Sequence, residues 1–248
     1  MKERLGAIVL AAGKGTRMKS KRVNKVTLPL GGKPMIIHTA ELLRDINASP
    51  IILVVGFAKS SVKNLFSDDI VFAEQKRRLG TAHAVLSGLR ELPVDVEDVL
   101  ILQGDDSAFY RKDIIEKLLI KHRQHYAAFT FLTIEVDNPT GLGRIVRDKN
   151  KKLLGIVEEK DATLEQKGIN EINPACYIAS VTFLRKYLPK VEKSPFTGEY
   201  YLTSLIDIGI KNGEDIETFQ AGNITWRGVN TKEELADAEK LLKQIKSS

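Results

Sequence analysis

The stretch GAIVLAAGKGTRM, residues Gly6–Met18, decides the fold class of this chain. Its first seven residues are apolar or glycine and predict a buried strand. The strand runs into a turn that contains Gly13 and Gly15. Ligands of open α/β sheets bind at the carboxyl ends of the strands, and glycines let backbone N–H groups approach an anion closely. The turn is therefore typical of a phosphate site, although glycine-rich turns also serve only to reverse the chain.

Apolar segments alternate with helical patterns through the first half of the chain. Because continuous apolar strands separated by helices are typical of parallel sheets, this alternation predicts an α/β fold with helices on both faces. Further buried strands are predicted at IILVVG (51–56), IVFAE (70–74), DVLILQGD (98–105) and AAFTFLTIEV (127–136). Helices are predicted from Pro34 to about residue 47, over 80–91, and to about residue 125 from a capping box of Asp113 and Glu116.

The second half of the chain changes character and predicts a mixed-sheet lobe. GRIVRD (143–148) and KLLGIVEEK (152–160) alternate in polarity and predict a hairpin. EINPACYIA (171–179) predicts one more strand, EYYLTSLIDIGI (199–210) a helix, and Thr231 with Glu234 the start of a final helix. No linker or repeat interrupts the chain. We therefore expect one domain over 1–248, with a first half at about 1–110, a second at about 111–230 and a C-terminal helix at 231–248.

Charge and composition restrict the function without deciding it. The net charge is +6, and the segment from Gly13 to Lys33 holds seven cations and no acid. This segment suits a polyanionic small molecule, a nucleic acid or a solvated face; the missing stripe of aromatic residues argues against single-stranded nucleic acid. Cys176 is the only cysteine, which fits a reducing compartment. No signal peptide or membrane span is visible, so a cytoplasmic protein that does not act on membranes is expected.

Two common phosphate-binding motifs do not fit the glycine-rich turn. A dinucleotide fingerprint needs a third small residue, but Met18 stands at that position. It also needs an acid near the end of the next strand, and IILVVGFAKS (51–60) contains none. A P-loop needs a lysine and a hydroxyl residue after its last glycine, and none follows at that spacing. A permanently bound dinucleotide and an ordinary P-loop NTPase are therefore not expected.

Several motifs together resemble the sugar-nucleotide pyrophosphorylases, a nucleotidyltransferase family with a Rossmann-like fold. They are similar, in the same order, to the uridyltransferase domain of bacterial N-acetylglucosamine-1-phosphate uridyltransferases. The motifs are LAAGKGTRM, VNKVTLPLGGKPMIIHT, EQKRRLGTAHAV, LQGD, PTGLGRIVRD, GIVEEKDAT, EIN, GEYYLTSLIDI and GVNTKEEL. Bifunctional members add an acetyltransferase domain of hexapeptide repeats. This chain has no such repeats, so no acetyl transfer is expected.

The resemblance implies UTP and N-acetylglucosamine 1-phosphate as substrates, Mg²⁺ as cofactor, and a mostly parallel sheet with a mixed-sheet sugar-binding lobe. It implies catalytic cations at Arg17 and Lys25, and metal ligands at Asp105 and Asn230. Nucleotide binding is implied at Ala11, Ala12, Gly13, Lys14, Gly15, Thr16, Gln75, Gly80 and Thr81. Sugar binding is implied at Gly141, Glu158, Asn173 and Asn230, with Glu159 as an alternative to Glu158.

Three departures from the family pattern leave alternatives open. Asn24 stands where a proline is common before the signature lysine, GDDSAFY (104–110) follows LQ in place of an Asp-x-Pro-Leu-like segment, and Pro174 follows EIN. Because these changes surround the expected sugar pocket, another sugar 1-phosphate such as glucose 1-phosphate, or dTTP in place of UTP, stays open. A non-catalytic nucleotide-sugar-binding module is a further alternative, which the presence of Lys25, Asp105 and Asn230 disfavours. Monomer and dimer both stay open.

Overall fold

The computed structural model describes residues 4–15, 18, 22–105, 107–222 and 224–247. Its main element is a ten-stranded mixed sheet. Its strand order is β5-β4-β1-β6-β11-β7-β10-β8-β9, and β12 pairs with β7. The strands are β1 Leu5–Ala11, β4 Ile51–Val55, β5 Ile70–Glu74, β6 Asp98–Gln103, β7 Phe129–Glu135, β8 Gly143–Arg147, β9 Leu153–Val157, β10 Glu171–Asn173, β11 Tyr177–Ser180 and β12 Ile216–Gln220. A separate two-stranded hairpin consists of β2 Pro29–Leu30 and β3 Lys33–Pro34.

Helices cover both faces of the sheet. They are α1 Met35–Asp45, α2 Lys59–Lys63, α3 Thr81–Leu89, α4 Lys112–Gln124, α5 Leu164–Lys167, α6 Val181–Tyr187, α7 Ser204–Lys211 and α8 Lys232–Ser247. Alternate residues of β1 face opposite sides, so Ile8 lies in one apolar core with α3, α6 and α7, and Val9 in the other with α1 and α4. The α/β class predicted from the sequence is confirmed. Among the described residues, no helix combines the length and apolar character that crossing a membrane requires.

The first half of the sheet is parallel and places the cleft. Strand β1 pairs in parallel with β4 and β6, and β4 pairs in parallel with β5. All seven residues of β1 are buried, as expected of a strand with neighbours on both sides and helices on both faces. The carboxyl ends of these strands share one edge of the sheet. The glycine-rich turn after β1, Gln75 after β5 and Asp105 after β6 all follow at that edge.

The second half is mixed, and one strand prediction needs correction there. EINPACYIA forms two strands, β10 and β11, which both pair antiparallel with β7. Pro174 has no N–H for the ladder, and Ala175 has a φ of 60°, so the chain bulges between the two strands. The hairpin predicted at 143–160 is confirmed as β8 and β9, which pair antiparallel.

Two helix starts also differ from the sequence predictions. Helix α4 begins at Lys112 with Arg111 as an N-cap that makes no side-chain cap, and Asp113 binds the Arg111 guanidinium. The capping box predicted for Asp113 and Glu116 is therefore wrong. The helix predicted over 199–210 begins only at Ser204, because the residues before it pair with the loop that precedes α3.

The C-terminal helix α8 begins as predicted. Thr231 Oγ1 accepts from the backbone N–H of Glu234, and the Glu234 carboxylate accepts from the N–H of Thr231, which is the expected capping box. Ala238 and Leu242 of α8 pack on Leu30 in a third apolar core. The division of the chain at about residues 110 and 230 stays a prediction, since one sheet crosses the first of these boundaries.

Candidate active site

A cleft of about 620 Å³ opens at the carboxyl ends of β1 and β6. It brings together most of the residues singled out in the sequence, namely Ala11, Ala12, Gly13, Lys14, Gly15, Lys25, Gln75, Gly80, Thr81, Asp105, Asn173 and Asn230. Among the described residues, Gly141 and Glu158 do not line this cleft, although Leu142 does. Thr16 and Arg17 lie outside the described residues.

Three oxygen atoms accept from the Lys25 ammonium at one point of the cleft. Its Nζ forms an ion pair with the Asp105 carboxylate, and it donates to Asn230 Oδ1 at 2.8 Å and to the Val229 carbonyl at 3.0 Å. The Lys25 and Asp105 side chains are only 14% and 11% exposed. Since Asp105 follows β6 and Asn230 immediately precedes the capping box of α8, this cluster joins residues that are distant in the chain.

The oxygen atoms around Lys25 are also suitable ligands for a hard divalent cation. A carboxylate, a side-chain amide oxygen and a backbone carbonyl are ligands that Mg²⁺ accepts, and they already surround one positive charge. Within the described part of the chain no group of three or more His, Cys, Asp or Glu side chains could hold a metal by itself. Any Mg²⁺ here would therefore take its remaining ligands from substrate phosphates and water, as Mg²⁺ commonly does. Asp106, the second acid of GDDSAFY and beside Asp105, lies outside the described residues.

Asn24, the residue before Lys25, fastens the glycine-rich turn. Its buried side-chain Nδ2 donates to the carbonyls of Ala11 at 2.8 Å and Phe57 at 2.9 Å, and more weakly to that of Gly13 at 3.3 Å. Its Oδ1 accepts from the backbone N–H of Val26. One amide thus ties the end of β1, the turn after β4 and the Lys25 turn together. In the sequence, the departure from proline marked this position, but nothing local indicated these long-range partners.

Gln75 is buried, and its neighbours set the orientation of its amide. The Nε2 group donates to the Gly80 carbonyl at 3.0 Å and lies 3.0 Å from Nδ1 of His83. Because the Gly80 carbonyl requires a donor, Nε2 must face it, and a neutral His83 with its proton on Nε2 accepts the second N–H. Both Gln75 N–H groups are then used, so its Oε1 is the group that remains to accept from a ligand. Burial, and then the nearby Arg90 and Arg77, lower the pKa of His83 and favour this neutral ring.

The loop before α3 is locked onto the segment before α7. Gly80 has a φ of 111°, and a Cβ on it would lie 2.5 Å from the Tyr200 carbonyl oxygen, so only glycine fits there. The N–H of Tyr200 donates to the Leu79 carbonyl, and its carbonyl accepts from the N–H of Ala82. Thr81 Oγ1 accepts from the N–H of Leu202 at 2.9 Å. Thr81 therefore fixes this loop with its side chain, in addition to lining the cleft.

The two adjacent glutamates of the hairpin have different environments. Glu159 binds the buried Arg144 guanidinium at 2.6 Å and accepts from the Gly141 N–H at 3.1 Å; the latter contact, and then Arg144, lower its pKa. Glu158 accepts from Thr203 Oγ1 at 3.1 Å, and burial raises its pKa. Glu159 thus holds the Gly141 loop in place, whereas Glu158 has no cationic partner of this kind in the described residues. Glu159 is therefore committed to an ion pair and Glu158 is not, and neither carboxyl group lines the cleft.

The side-chain amide of Asn173 makes two hydrogen bonds within the bulge between β10 and β11. Its Nδ2 donates to the Tyr177 hydroxyl at 2.6 Å, and its Oδ1 accepts from the N–H of Ala175 at 3.0 Å. One N–H and one lone pair of the amide remain for a ligand in the cleft.

Comparisons with known proteins identify the family of this chain. Residues 7–184 match the family described as the MobA-like NTP transferase domain. The chain is 39% identical over 241 residues to the bifunctional protein GlmU of Desulfotalea psychrophila, which covers 96% of this chain and 70% of that protein. It is 41% identical over 239 residues to the bifunctional protein GlmU of Caldicellulosiruptor saccharolyticus, covering 95% of this chain and 51% of that protein.

One solved structure with the same fold is a putative glucose-1-phosphate thymidylyltransferase from Bacillus anthracis, in complex with a sucrose. Its TM-score is 0.79 at 22% identity, and the match covers 96% of this chain and 95% of that one. The chain spans about half the length of several of the curated relatives that it matches. With a family match over more than half of its residues and a cleft that gathers the expected groups, the chain belongs to the MobA-like NTP transferase domain family and is a nucleotidyltransferase.

Proposed function

We propose that this nucleotidyltransferase transfers a uridylyl group from UTP to N-acetylglucosamine 1-phosphate and releases pyrophosphate. The observation that carries the proposal is the cluster of Lys25, Asp105 and Asn230 in the same cleft as the glycine-rich turn. The motif resemblance to N-acetylglucosamine-1-phosphate uridyltransferases supports the choice of base and sugar. So does the identity of 37–41% to proteins named GlmU.

The nucleotide is proposed to bind with its base toward Gln75 and its phosphates on the glycine-rich turn. Uracil carries one imide N–H and two carbonyls, and Oε1 of Gln75 would accept from that N–H. Gly80 and Thr81 would complete the contact to the base edge. The backbone of the turn residues Ala11, Ala12, Gly13, Gly15 and Thr16 would contact the ribose and phosphates, with Lys14 and Arg17 supplying positive charge.

The reaction needs positioning and charge neutralisation more than acid–base chemistry. An oxygen of the sugar phosphate attacks the α-phosphorus of UTP, the bond between them forms, and the bond to the β-phosphate oxygen breaks with pyrophosphate leaving in line. The attacking phosphate is already ionised at neutral pH, so no residue must remove a proton. Lys25 would neutralise the attacking and α-phosphoryl groups. Asp105 and Asn230 would hold Mg²⁺, which when bound neutralises the triphosphate.

The sugar is proposed to bind between the hairpin and the bulge. Asn173 lines the cleft directly, and Glu158 lies behind Gly143, where a Cβ would be 3.7 Å from its Oε2. The Glu158 carboxyl group, whose pKa burial raises, would be offered to a sugar hydroxyl. Gly141 would contribute backbone contacts. A reaction that consumes UTP is expected in the cytoplasm, and no macromolecular partner is needed for it.

Measuring pyrophosphate release tests the proposal. The protein is incubated with Mg²⁺, each of the four nucleoside triphosphates and dTTP, and a panel of sugar 1-phosphates. Release is expected with UTP and N-acetylglucosamine 1-phosphate above every other pair. A preference for dTTP or glucose 1-phosphate would correct the substrate, and binding without release from any pair would favour a non-catalytic module.

The variant Asp105→Asn tests the site itself. It removes the carboxylate that faces Lys25 and is expected to lower kcat at least about 100-fold while the protein still unfolds cooperatively. Asp68→Asn, in the exposed turn before β5, is the matched control. Mg²⁺-dependent turnover of Asp105→Asn near that of the control would contradict the metal role of Asp105.

A further inference from the structure

Trp226, the only tryptophan of the chain, lines the candidate cleft and is held at both ends of its ring. Its indole N–H donates to the Tyr110 hydroxyl at 3.2 Å, and that hydroxyl in turn donates to the Pro174 carbonyl. The other edge of the ring lies over Gly228, where a Cβ would be 3.3 Å from Cη2 of Trp226. These contacts restrict the ring to one orientation in the wall of the cleft.

The residues that form this arrangement include two of the departures from the family pattern. Tyr110 belongs to GDDSAFY, and Pro174 follows EIN. The bulge between β10 and β11 brings Pro174 and Ala175 to the cleft, next to Asn173. These two departures therefore meet in one wall of the cleft.

The surface of this wall that faces the cleft is apolar. The indole N–H is paired with Tyr110, which is only 6% exposed, so the part of Trp226 that lines the cleft is apolar. Pro174, Ala175 and Leu142 line the same cleft and add apolar surface to it, and Pro174 and Ala175 directly follow Asn173 in the bulge. An amide group next to an apolar patch complements a substituent that combines a polar amide with a methyl group.

We propose that Trp226, oriented by Tyr110, is a specificity-determining residue that packs on the methyl group of the acetamido substituent of an N-acetylated amino-sugar 1-phosphate. The inference rests on the proposed uridylyl transfer and deepens it. A sugar with a hydroxyl at the same carbon has no methyl group to bury and would place a polar group against the indole. One methylene-sized difference in an apolar pocket discriminates by about 10-fold to 200-fold.

The kinetic test compares two sugars in each variant. The ratio of kcat/KM for N-acetylglucosamine 1-phosphate to that for glucose 1-phosphate is expected to fall about tenfold in Trp226→Ala. In Tyr110→Phe, which keeps the indole but removes its hydrogen-bond partner, a smaller fall of about threefold is expected. Tyr126→Ala and Tyr126→Phe, at a tyrosine that is 90% exposed, are the matched controls and should keep the wild-type ratio.

Intrinsic fluorescence of the wild-type protein gives a second readout that does not depend on a variant folding. Because Trp226 is the only tryptophan, UDP-N-acetylglucosamine should shift its emission to shorter wavelength, and UDP-glucose and UMP should shift it less. Equal shifts with the three ligands, or an unchanged sugar ratio in a folded Trp226→Ala, overturn the inference while leaving uridylyl transfer intact. A wild-type protein that uses neither sugar with UTP overturns the proposed function and the inference with it.

Discussion

Replacing Lys25 by methionine should strengthen the binding of a divalent cation in the absence of nucleotide. The Lys25 ammonium and a metal ion would use the same oxygens, namely the Asp105 carboxylate, Asn230 Oδ1 and the Val229 carbonyl. A metal that binds Asp105 and Asn230 must therefore displace the ammonium. In Lys25→Met that competition is absent, and the site also gains one unit of negative charge.

The size of the effect follows from the contacts that the metal must break. A hydrogen bond to a charged group contributes about 1.5–3 kcal/mol to stability. Loss of one such bond as the net cost of displacement corresponds to a factor of about 10 to 150 in the dissociation constant. The released ammonium is then free to move toward the phosphates, which would couple metal binding to the placement of the catalytic cation.

Titration with Mn²⁺, followed by the electron paramagnetic resonance signal of the free ion, measures this affinity directly. Lys14→Met is the matched control, because Lys14 lines the same cleft and changes charge equally, but its ammonium lies 5.9 Å over the ring of Phe57. The double variant Lys25→Met with Asp105→Asn should lose the gain. Mn²⁺ affinity of Lys25→Met no higher than that of Lys14→Met would refute the competition.

Three further predictions test the supporting residues. His83→Phe removes the acceptor that orients the Gln75 amide, so KM for UTP should rise up to about tenfold with kcat little changed. In the wild type, the lowered pKa of His83 keeps the imidazole neutral. The KM for UTP should therefore rise only when the pH is below 6.5, the ordinary imidazole pKa. Burial raises the pKa of Glu158, so its ionisation destabilises the fold at neutral pH. Glu158→Gln should therefore raise the melting temperature at pH 7.5, by a margin that disappears as the pH falls toward 4.5. Glu159→Gln should change it in the opposite direction, since the Gly141 N–H and Arg144 lower the pKa of Glu159; equal signs would contradict both assignments. Asn24→Ala should lower the free energy of unfolding in urea by about 2 kcal/mol or more, and Asn24→Asp at least as much, because a carboxylate would face carbonyl oxygens. A milder Asn24→Asp would show that the three carbonyl contacts are not what fixes the turn.

The parallel half of the sheet was predictable because its signals are local. Strands β1 and β4 are continuous apolar runs bounded by polar turns, and burial on both faces demands such a run. The edge strand β5 is shorter and partly exposed, but it keeps four apolar residues in a row. The capping box of Thr231 and Glu234 was found in the same way. Asp113 and Glu116 show the limit of that pattern, since the helix starts one residue before Asp113, whose carboxylate is taken by Arg111. A residue pattern identifies two side chains that could form a capping box. They form it only if the helix begins directly after the first of them.

The candidate site was predictable in its members but not in their connections. Lys25, Asp105 and Asn230 are identifiable from motifs, and that they share one cleft could be expected from strand ends at one edge of a sheet. The roles of Asn24 and His83 were not visible, because their partners lie far along the chain or depend on the orientation of one amide. The break in EINPACYIA was missed because its composition favours a strand, and the pairing with β7 decides where the bulge falls.

The sequence alone determined the α/β class, the edge of the sheet where the cleft opens and the chemical groups available there, because apolar periodicity and glycine placement act over a few residues. Only the tertiary structure decided that Lys25 lies among the predicted metal ligands, that Gly80 and His83 use the N–H groups of Gln75, and that Trp226 is tied to Tyr110. Hydrogen bonds and ion pairs require atoms within about 3–4 Å, and such distances between remote residues exist only once the sheet, the bulge and the last helix have packed together.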